Sequence, residues 1–361
     1  MYPKLKIYLK KLETNARVMV EMCHEQNVSV AGVIKGCGGI PKCAGAMEAG
    51  GCDFIASSRI YQLKDVKDFG VKVPLMLIRI PMISEVHDVI KYTEYSLNSE
   101  FKVLKALEKE AVAQNKDHNV ILMAEIGDLR EGIWDIDEML KTALYVENEC
   151  ERLKLAGVGT NVGCYGSVVA TKDKLQELVV IAEKVEEKIG RKLDIISGGA
   201  TSSTPRILEK NMPERINNLR VGEAIVVDKD MTELYGYEYP GMYRDCFIFE
   251  AEIVELKTKP SHPIGEIAYD AFRNKPTYED RGLRKRAIVA AGKVDFAYMD
   301  QLTPRIKGIE IMGGASDHTI LDVEDSEVEL KVGDIVPFDI YYGAMPLLSQ
   351  SPDVKLDFVE D

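Results

Sequence analysis

Eight short apolar runs, separated by amphipathic stretches, occupy the first 225 or so residues of this 361-residue chain. They are Val30–Ile34, Phe54–Ala56, Val73–Ile78, Tyr95–Leu97, Val120–Glu125, Leu155–Thr160, Asp194–Ser197 and Asn218–Val221. The intervening helical patterns are clearest at Phe101–Gln114, Ile136–Arg152 and Lys172–Ile189. In the last of these Leu175, Leu178, Val179, Ala182 and Val185 follow a helical period. Strands that alternate with helices in this way build parallel sheets, and eight of them in about 230 residues predict a closed (β/α)₈ barrel of the TIM type. A helix over Leu12–Gln26 precedes the first strand.

After Asp230 the texture changes. Val/Ile/Phe alternation takes over in Phe247–Val254, Arg286–Ala291, Ile306–Ile311 and Ile335–Tyr342, with Gly, Pro and Asp turns between. The expectation is a barrel over residues 1–230 and an all-β domain over 231–361. The charge-dense stretch Tyr278–Arg286 reads as a solvated loop. No apolar run approaches the roughly 18 residues of a membrane span, and the first residues lack the apolar core of a signal peptide. A cytoplasmic location is the expectation. A net charge of −13 argues against nucleic acid or an anionic membrane as partner. Seven scattered cysteines suit reduced thiols, and no metal site is expected because no CxxC pair, HExxH helix or His/Cys cluster occurs.

The first apolar run ends in Lys35, followed at once by Gly36-Cys37-Gly38-Gly39. A strand buried on both faces ends in an amine either because its tip opens onto a cavity or because the side chain snorkels to solvent. In the first case burial lowers the amine's pKa toward that of a neutral nucleophile. Barrel active sites form at the C-terminal ends of the strands, and phosphate commonly lodges after strands seven and eight. Strand seven here runs into Ser197-Gly198-Gly199-Ala200-Thr201-Ser202-Ser203-Thr204, and strand eight into Arg220-Val221-Gly222-Glu223. Glycines admit an anion to the backbone, and hydroxyls with helix N–H groups donate to it. The same residues also suit a Ser/Thr-capped helix start.

A lysine at the end of strand one and a phosphate site after strands seven and eight together describe a barrel carrying pyridoxal 5'-phosphate. With these segments the chain resembles the alanine-racemase-like (fold type III) pyridoxal-phosphate enzymes, and among them the ornithine racemase branch. Val33-Ile34-Lys35-Gly36 matches the cofactor-lysine segment, and Gly51-Cys52-Asp53-Phe54-Ile55-Ala56 the second strand. Glu125-Ile126-Gly127-Asp128-Leu129-Arg130-Glu131-Gly132 falls where the family carries Asp-Thr-Gly-Met-x-Arg-x-Gly.

The resemblance implies that Lys35 holds the cofactor as a Schiff base. It implies further that Arg130 supports the cofactor's phenolic oxygen or the substrate carboxylate, and that Asn161 stands where alanine racemases stack a histidine on the ring. Ser197, Thr201, Ser202 and Gly222 are the implied phosphate contacts, joined by Tyr342 in Tyr341-Tyr342-Gly343-Ala344-Met345-Pro346. Arg220 is implied to face the pyridine nitrogen. A guanidinium only donates, so that nitrogen stays unprotonated and reprotonation at Cα is favoured over transamination.

Two-base racemisation needs a second acid/base. The family takes it from a tyrosine in a Gly-Tyr-x-Asp-Gly segment of the partner subunit. Here the stretch reads Gly292-Lys293-Val294-Asp295-Phe296, without that tyrosine. The candidates are His318 and Asp317, with Asp295 and Lys293 behind them; Asp317 or Asp295 also suits a substrate's distal ammonium. The expectation is therefore a homodimeric racemase of ornithine or a related basic amino acid. Competing readings are a D-threonine aldolase or D-serine dehydratase type of lyase, disfavoured because no histidine or cysteine follows His318, and a non-catalytic pyridoxal-phosphate homeostasis protein, disfavoured by the extra 130 residues. A decarboxylase lacks its characteristic cysteine segment here.

Overall fold

The computed structural model describes residues 1–360. They form two compact units, Leu9–Arg244 and a second made of Met1–Tyr8 with Asp245–Asp361. Strand β1 (Lys4–Tyr8) opens the chain and helix α1 (Leu9–His24) follows. All eight strands read from the sequence are present: β2 (Ser29–Val33), β3 (Phe54–Ser57), β4 (Leu75–Leu77), β5 (Tyr95–Asn98), β6 (His118–Met123), β7 (Leu153–Gly159), β8 (Ile195–Ser197) and β9 (Asn218–Val221). They pair in sequence order, and β2 meets β9 to close a parallel barrel.

The helices between them are α2 (Pro41–Ala49), α3 (Ile60–Phe69), α4 (Val86–Tyr92), α5 (Phe101–Gln114), α6 (Ile136–Glu149) and α7 (Lys172–Ile189). Helix α7 buries Leu175, Leu178, Val179, Ala182 and Val185, the stripe its sequence displays. Thr171 caps its start by accepting from the Lys174 N–H at 3.1 Å, and left-handed Gly190 ends it. Helix α6 stops three residues short of its expected end, because Cys150–Arg152 leave it to enter β7.

A β-strand points successive side chains to opposite faces. The buried cluster inside the barrel holds Ala31 and Val33 from β2, Ala56 from β3, Met76 from β4, Leu97 from β5, Ile121 and Met123 from β6, and Ile195 from β8. Outward residues meet the helices. At Gly157 the strands approach so closely that a Cβ would lie 1.8 Å from the Ile195 carbonyl oxygen.

The second unit is built on β10 (Phe247–Pro260), long enough to serve two sets of neighbours. β11 (Leu283–Val289), β12 (Leu302–Pro304), β13 (Glu310–Gly314), β14 (Thr319–Asp322), β15 (Ile335–Ile340) and β16 (Lys355–Val359) complete it. The order is β12-β15-β10-β11-β14-β13, with β1 joined to both β10 and β16. Phe249 packs against Phe296 and Phe338 at ring separations of 5.8 and 6.0 Å.

Two expectations change. The all-β unit also takes the first eight residues, where Leu5 and Ile7 alternate with Lys4 and Lys6, and its later part begins at Asp245 rather than 231. The stretch Tyr278–Arg286 is not wholly a loop, since Leu283 to Arg286 start β11 and Arg284 donates to the buried Asp322 at 2.8 Å.

Substituting Gly157→Ala is expected to force β7 and β8 apart and to cost about 3 kcal/mol, read as a lower urea midpoint. An unaltered midpoint would contradict this packing.

Candidate active site

Ala31 and Val33 face the barrel interior, so the pleat carries Lys35, two residues on, toward the same axis. The strand gives way there to a turn in which the Gly38 and Gly39 N–H groups donate back to the Lys35 and Ile34 carbonyls. The amine has no ion-pair or hydrogen-bond partner among the described residues. Burial lowers its pKa from the ordinary lysine value; the Arg130 guanidinium adds to this, as does Arg220 more weakly, against the opposing pull of Cys164 and Glu131.

Arg220 enters from β9, where its Cα pairs with Ala31 of β2. It is buried, and no carboxylate lies within ion-pair distance of it among the described residues. Its guanidinium donates to the Thr160 carbonyl at 2.7 Å and to the Ser197 hydroxyl. Ser197 donates onward to Asn218 Oδ1 at 2.5 Å, and Asn218 to Ser29 Oγ at 3.1 Å. Burial lowers the Arg220 pKa to about 10, which leaves it protonated at neutral pH. The pairing of Arg220 with Glu223 that its neighbourhood in sequence invites does not occur.

The loop after β6 brings in Arg130. It folds back so that the Ile133 N–H bonds the Met123 carbonyl at 2.8 Å, and Glu125 accepts from the N–H groups of Gly127 and Arg130 at 2.5 and 3.1 Å. The Arg130 guanidinium is clasped by its neighbour Glu131 and lies 3.0 Å from Cys164 Sγ. Glu131 and Cys164 are site residues that the sequence did not single out. Asn161, after β7, is 7% exposed, and its amide nitrogen is buried with no hydrogen-bond partner.

The glycine-rich loop after β8 wraps the same end of the barrel. The Arg220 N–H donates to the Gly199 carbonyl, and Ser202 Oγ to the Val162 carbonyl at 2.6 Å. Thr201 Oγ1 accepts from the N–H groups of Gly222 and Ala224, at a long 3.4 and 3.3 Å. Those amides begin the short helix Glu223–Val226. Ser197, read from sequence as a phosphate contact, is spent in supporting Arg220. Lys35, Arg130, Asn161, Thr201, Ser202, Arg220 and Gly222 thus gather at the C-terminal ends of the barrel strands.

The other candidates belong to the second unit. Asp317 and His318 are exposed in the turn between β13 and β14, where Ser316 Oγ donates to Asp317 Oδ2 at 2.8 Å. Asp295 is buried and accepts from the Gly292 N–H at 3.0 Å, capping the helix Lys293–Phe296. Lys293 Nζ pairs with Asp270 at 3.3 Å and sits 4.2 Å from the Phe272 ring centre. It lines a cleft of about 460 Å³ with Tyr278, Arg286 and Met299. Tyr342 is half-buried just after β15. Among the described residues no group of three or more His, Cys, Asp or Glu side chains could hold a metal ion, and no helix is long and apolar enough to cross a membrane.

Beside the Gly222 turn lie two buried carboxyls. Glu223 accepts from the Lys229 and Asp230 N–H groups at 2.9 and 3.0 Å. Asp228 is 1% exposed, and neither of its oxygens has a partner at hydrogen-bond distance, the Arg244 Nε standing off at 3.7 Å. Burial pushes both up to about 7. Groups raised in the folded state stabilise it below their unfolded pKa of about 4, and lose that contribution as pH climbs through 7. Asp228→Asn is therefore expected to gain on the natural protein by on the order of 2 kcal/mol between pH 5 and pH 8. Denaturant unfolding at the two pH values checks this; equal offsets at both would refute it.

Comparison with known proteins fits this geometry. Residues 7–230 match the family described as alanine racemase, N-terminal domain. The chain is 43% identical over 348 residues to an ornithine racemase of Acetoanaerobium sticklandii, covering 96% of each. It is 36% identical over 355 residues to a lysine racemase of Thermotoga maritima, covering 98% of each. Among solved structures, the alanine racemase of Streptomyces lavendulae superposes with a TM-score of 0.76 at 15% identity, over 100% of this chain and 98% of that one.

Proposed function

The chain belongs to the alanine racemase family, and we propose that it is a pyridoxal-phosphate-dependent amino-acid racemase, an isomerase acting on ornithine or a similar basic amino acid. The observation that carries this reading is an unpaired lysine amine just beyond the end of β2, its pKa lowered by burial and by Arg130 and the buried Arg220. Relatives of 43% and 36% identity named for ornithine and lysine support the substrate class.

The site's own atoms fit the cofactor. Arg220 is a buried cation with no carboxylate, and the Asn161 amide nitrogen is buried without an acceptor; an anionic heteroaromatic ring would satisfy both. Lys35, Arg130, Asn161 and Arg220 would hold the ring; the Thr201 hydroxyl and the Gly222 and Ala224 N–H groups, whose present contacts with one another are long, would turn to its phosphate, whereas the Ser202 hydroxyl is spent on the Val162 carbonyl. Bound there, pyridoxal phosphate supplies the electron sink that loosens the Cα–H bond of an amino acid.

Lys35 Nζ, with its pKa lowered, takes up and returns a proton on one face of Cα. Arg220 stays protonated and can only donate, so it keeps a facing ring nitrogen in its acceptor form. Glu131 and Cys164 restrain Arg130, which is then oriented for an oxyanion. The second proton carrier is assigned to the all-β unit of a partner subunit in a homodimer. Asp317 and His318 suit that part, being exposed at a hairpin tip, whereas Asp295 is committed to a helix cap and Lys293 to an ion pair.

Incubating the cofactor-loaded protein with single enantiomers of ornithine and lysine in deuterium oxide tests this. Optical rotation should decay with deuterium entering at Cα, and no carbon dioxide, aldehyde or ammonia should appear. Lys35→Ala should lose the yellow colour and at least about a thousandfold in rate. Release of those products, or colour and turnover both surviving in Lys35→Ala, would overturn the reading.

A further inference from the structure

We propose that Asp128 is a positioning residue that locks the loop after β7 onto the loop after β6, and so seats Cys164 and Arg130 beside Lys35. Its meaning for catalysis rests on the racemase reading above. Asp128 is wholly buried although it lies in an irregular loop. Its Oδ1 accepts from the N–H groups of Gly163, Cys164 and Val168 at 3.0, 3.4 and 3.3 Å, and its Oδ2 from that of Tyr165 at 3.1 Å. A carboxylate offers about four lone-pair sites, two on each oxygen; here three donors crowd Oδ1 and one meets Oδ2. Burial alone would raise this carboxyl, but the N–H groups of Val168, Gly166, Cys164 and Gly163 hold it below the usual range.

The loop so gathered has no helix or strand of its own. It is moulded on Asp128 from the backbone side too, since a Cβ at Gly166 would lie 2.5 Å from the Asp128 carbonyl oxygen. The residue after Asp128, Leu129, takes a left-handed φ of 58° that side chains bearing a Cβ rarely adopt. That turn delivers Arg130 to within 3.0 Å of Cys164. Arg130, Glu131 and Cys164 all act on the Lys35 amine, so whatever sets their positions sets its environment.

Three variants of the full-length, cofactor-loaded protein test it. Asp128→Asn keeps the shape and replaces an acceptor oxygen by a donor. Gly166→Ala pushes the loop off Asp128 from the backbone side while leaving the carboxylate's own chemistry intact. Glu186→Gln is the control: Glu186 binds Lys192, Arg215 and the Leu193 N–H near the far end of α7, so its loss destabilises the barrel while leaving these loops alone. Hydrogen exchange of residues 163–168 should quicken at least about tenfold in the first two variants and not in the control. Their kcat/KM for ornithine should fall about tenfold to a hundredfold, while Glu186→Gln, at an equal or greater loss of Tm, keeps the natural value. Unaltered exchange, or a kcat/KM loss no larger than the control's, would overturn the proposal. If the natural protein racemises no basic amino acid, the proposed function fails, and exchange alone then decides whether Asp128 holds the loops.

Discussion

The register in which β9 closes on β2, with Ala31 opposite Arg220 and Gly32 opposite Val221, sets the depth of the two cations on which the site is built. Lys35 follows Ala31 by four residues, in the turn just beyond β2, so it lies above the level from which Arg220 reaches up. A slip of one residue would turn every inward side chain of β2 outward, taking the amine with it. Such a slip is opposed by the polar chain Arg220 to Ser197 to Asn218 to Ser29, which ties β9 to both β8 and β2. The interior of the barrel therefore holds its shape partly through hydrogen bonds that also orient the buried guanidinium.

Charge at this end of the barrel is unbalanced. Two guanidiniums and one amine are met at short range by Glu131, which is committed to Arg130. Burying such an excess of cations costs free energy unless an anion completes the set. The carboxyls Glu223 and Asp228, close by in sequence, do not supply it, because burial raises both toward neutrality. An anionic ligand thus neutralises the site and relieves the solvation deficit of Arg220 together.

Much of this was legible in the amino-acid sequence. The eight barrel strands, the stripe of α7 and Lys35 follow from period, apolar runs and position at strand ends, whereas the part given to Arg220 came from the family resemblance. What escaped depends on contacts distant along the chain. Ser197 looked like an anion ligand because hydroxyls in glycine-rich loops often are, and only the closure of β8 on β9 shows it turned toward Asn218. Asp128 carried no assignment, since its four donors lie 35 to 40 residues away. β1 escaped because a five-residue, half-charged strand has a weak pattern of its own and is defined by its partners β10 and β16.

That first strand makes the all-β unit discontinuous: residues 4–8 run parallel to 355–359, and the whole barrel is inserted between them. On the ribosome the opening segment has no partner until more than two hundred residues have followed it. The barrel meanwhile has all its strands and can fold as it emerges. Joining the two ends late adds little, because loop-closure entropy grows only logarithmically with the span, by about 0.6 kcal/mol per doubling. A nascent chain of this kind matures from the middle outward, and its two extremities are knitted together last.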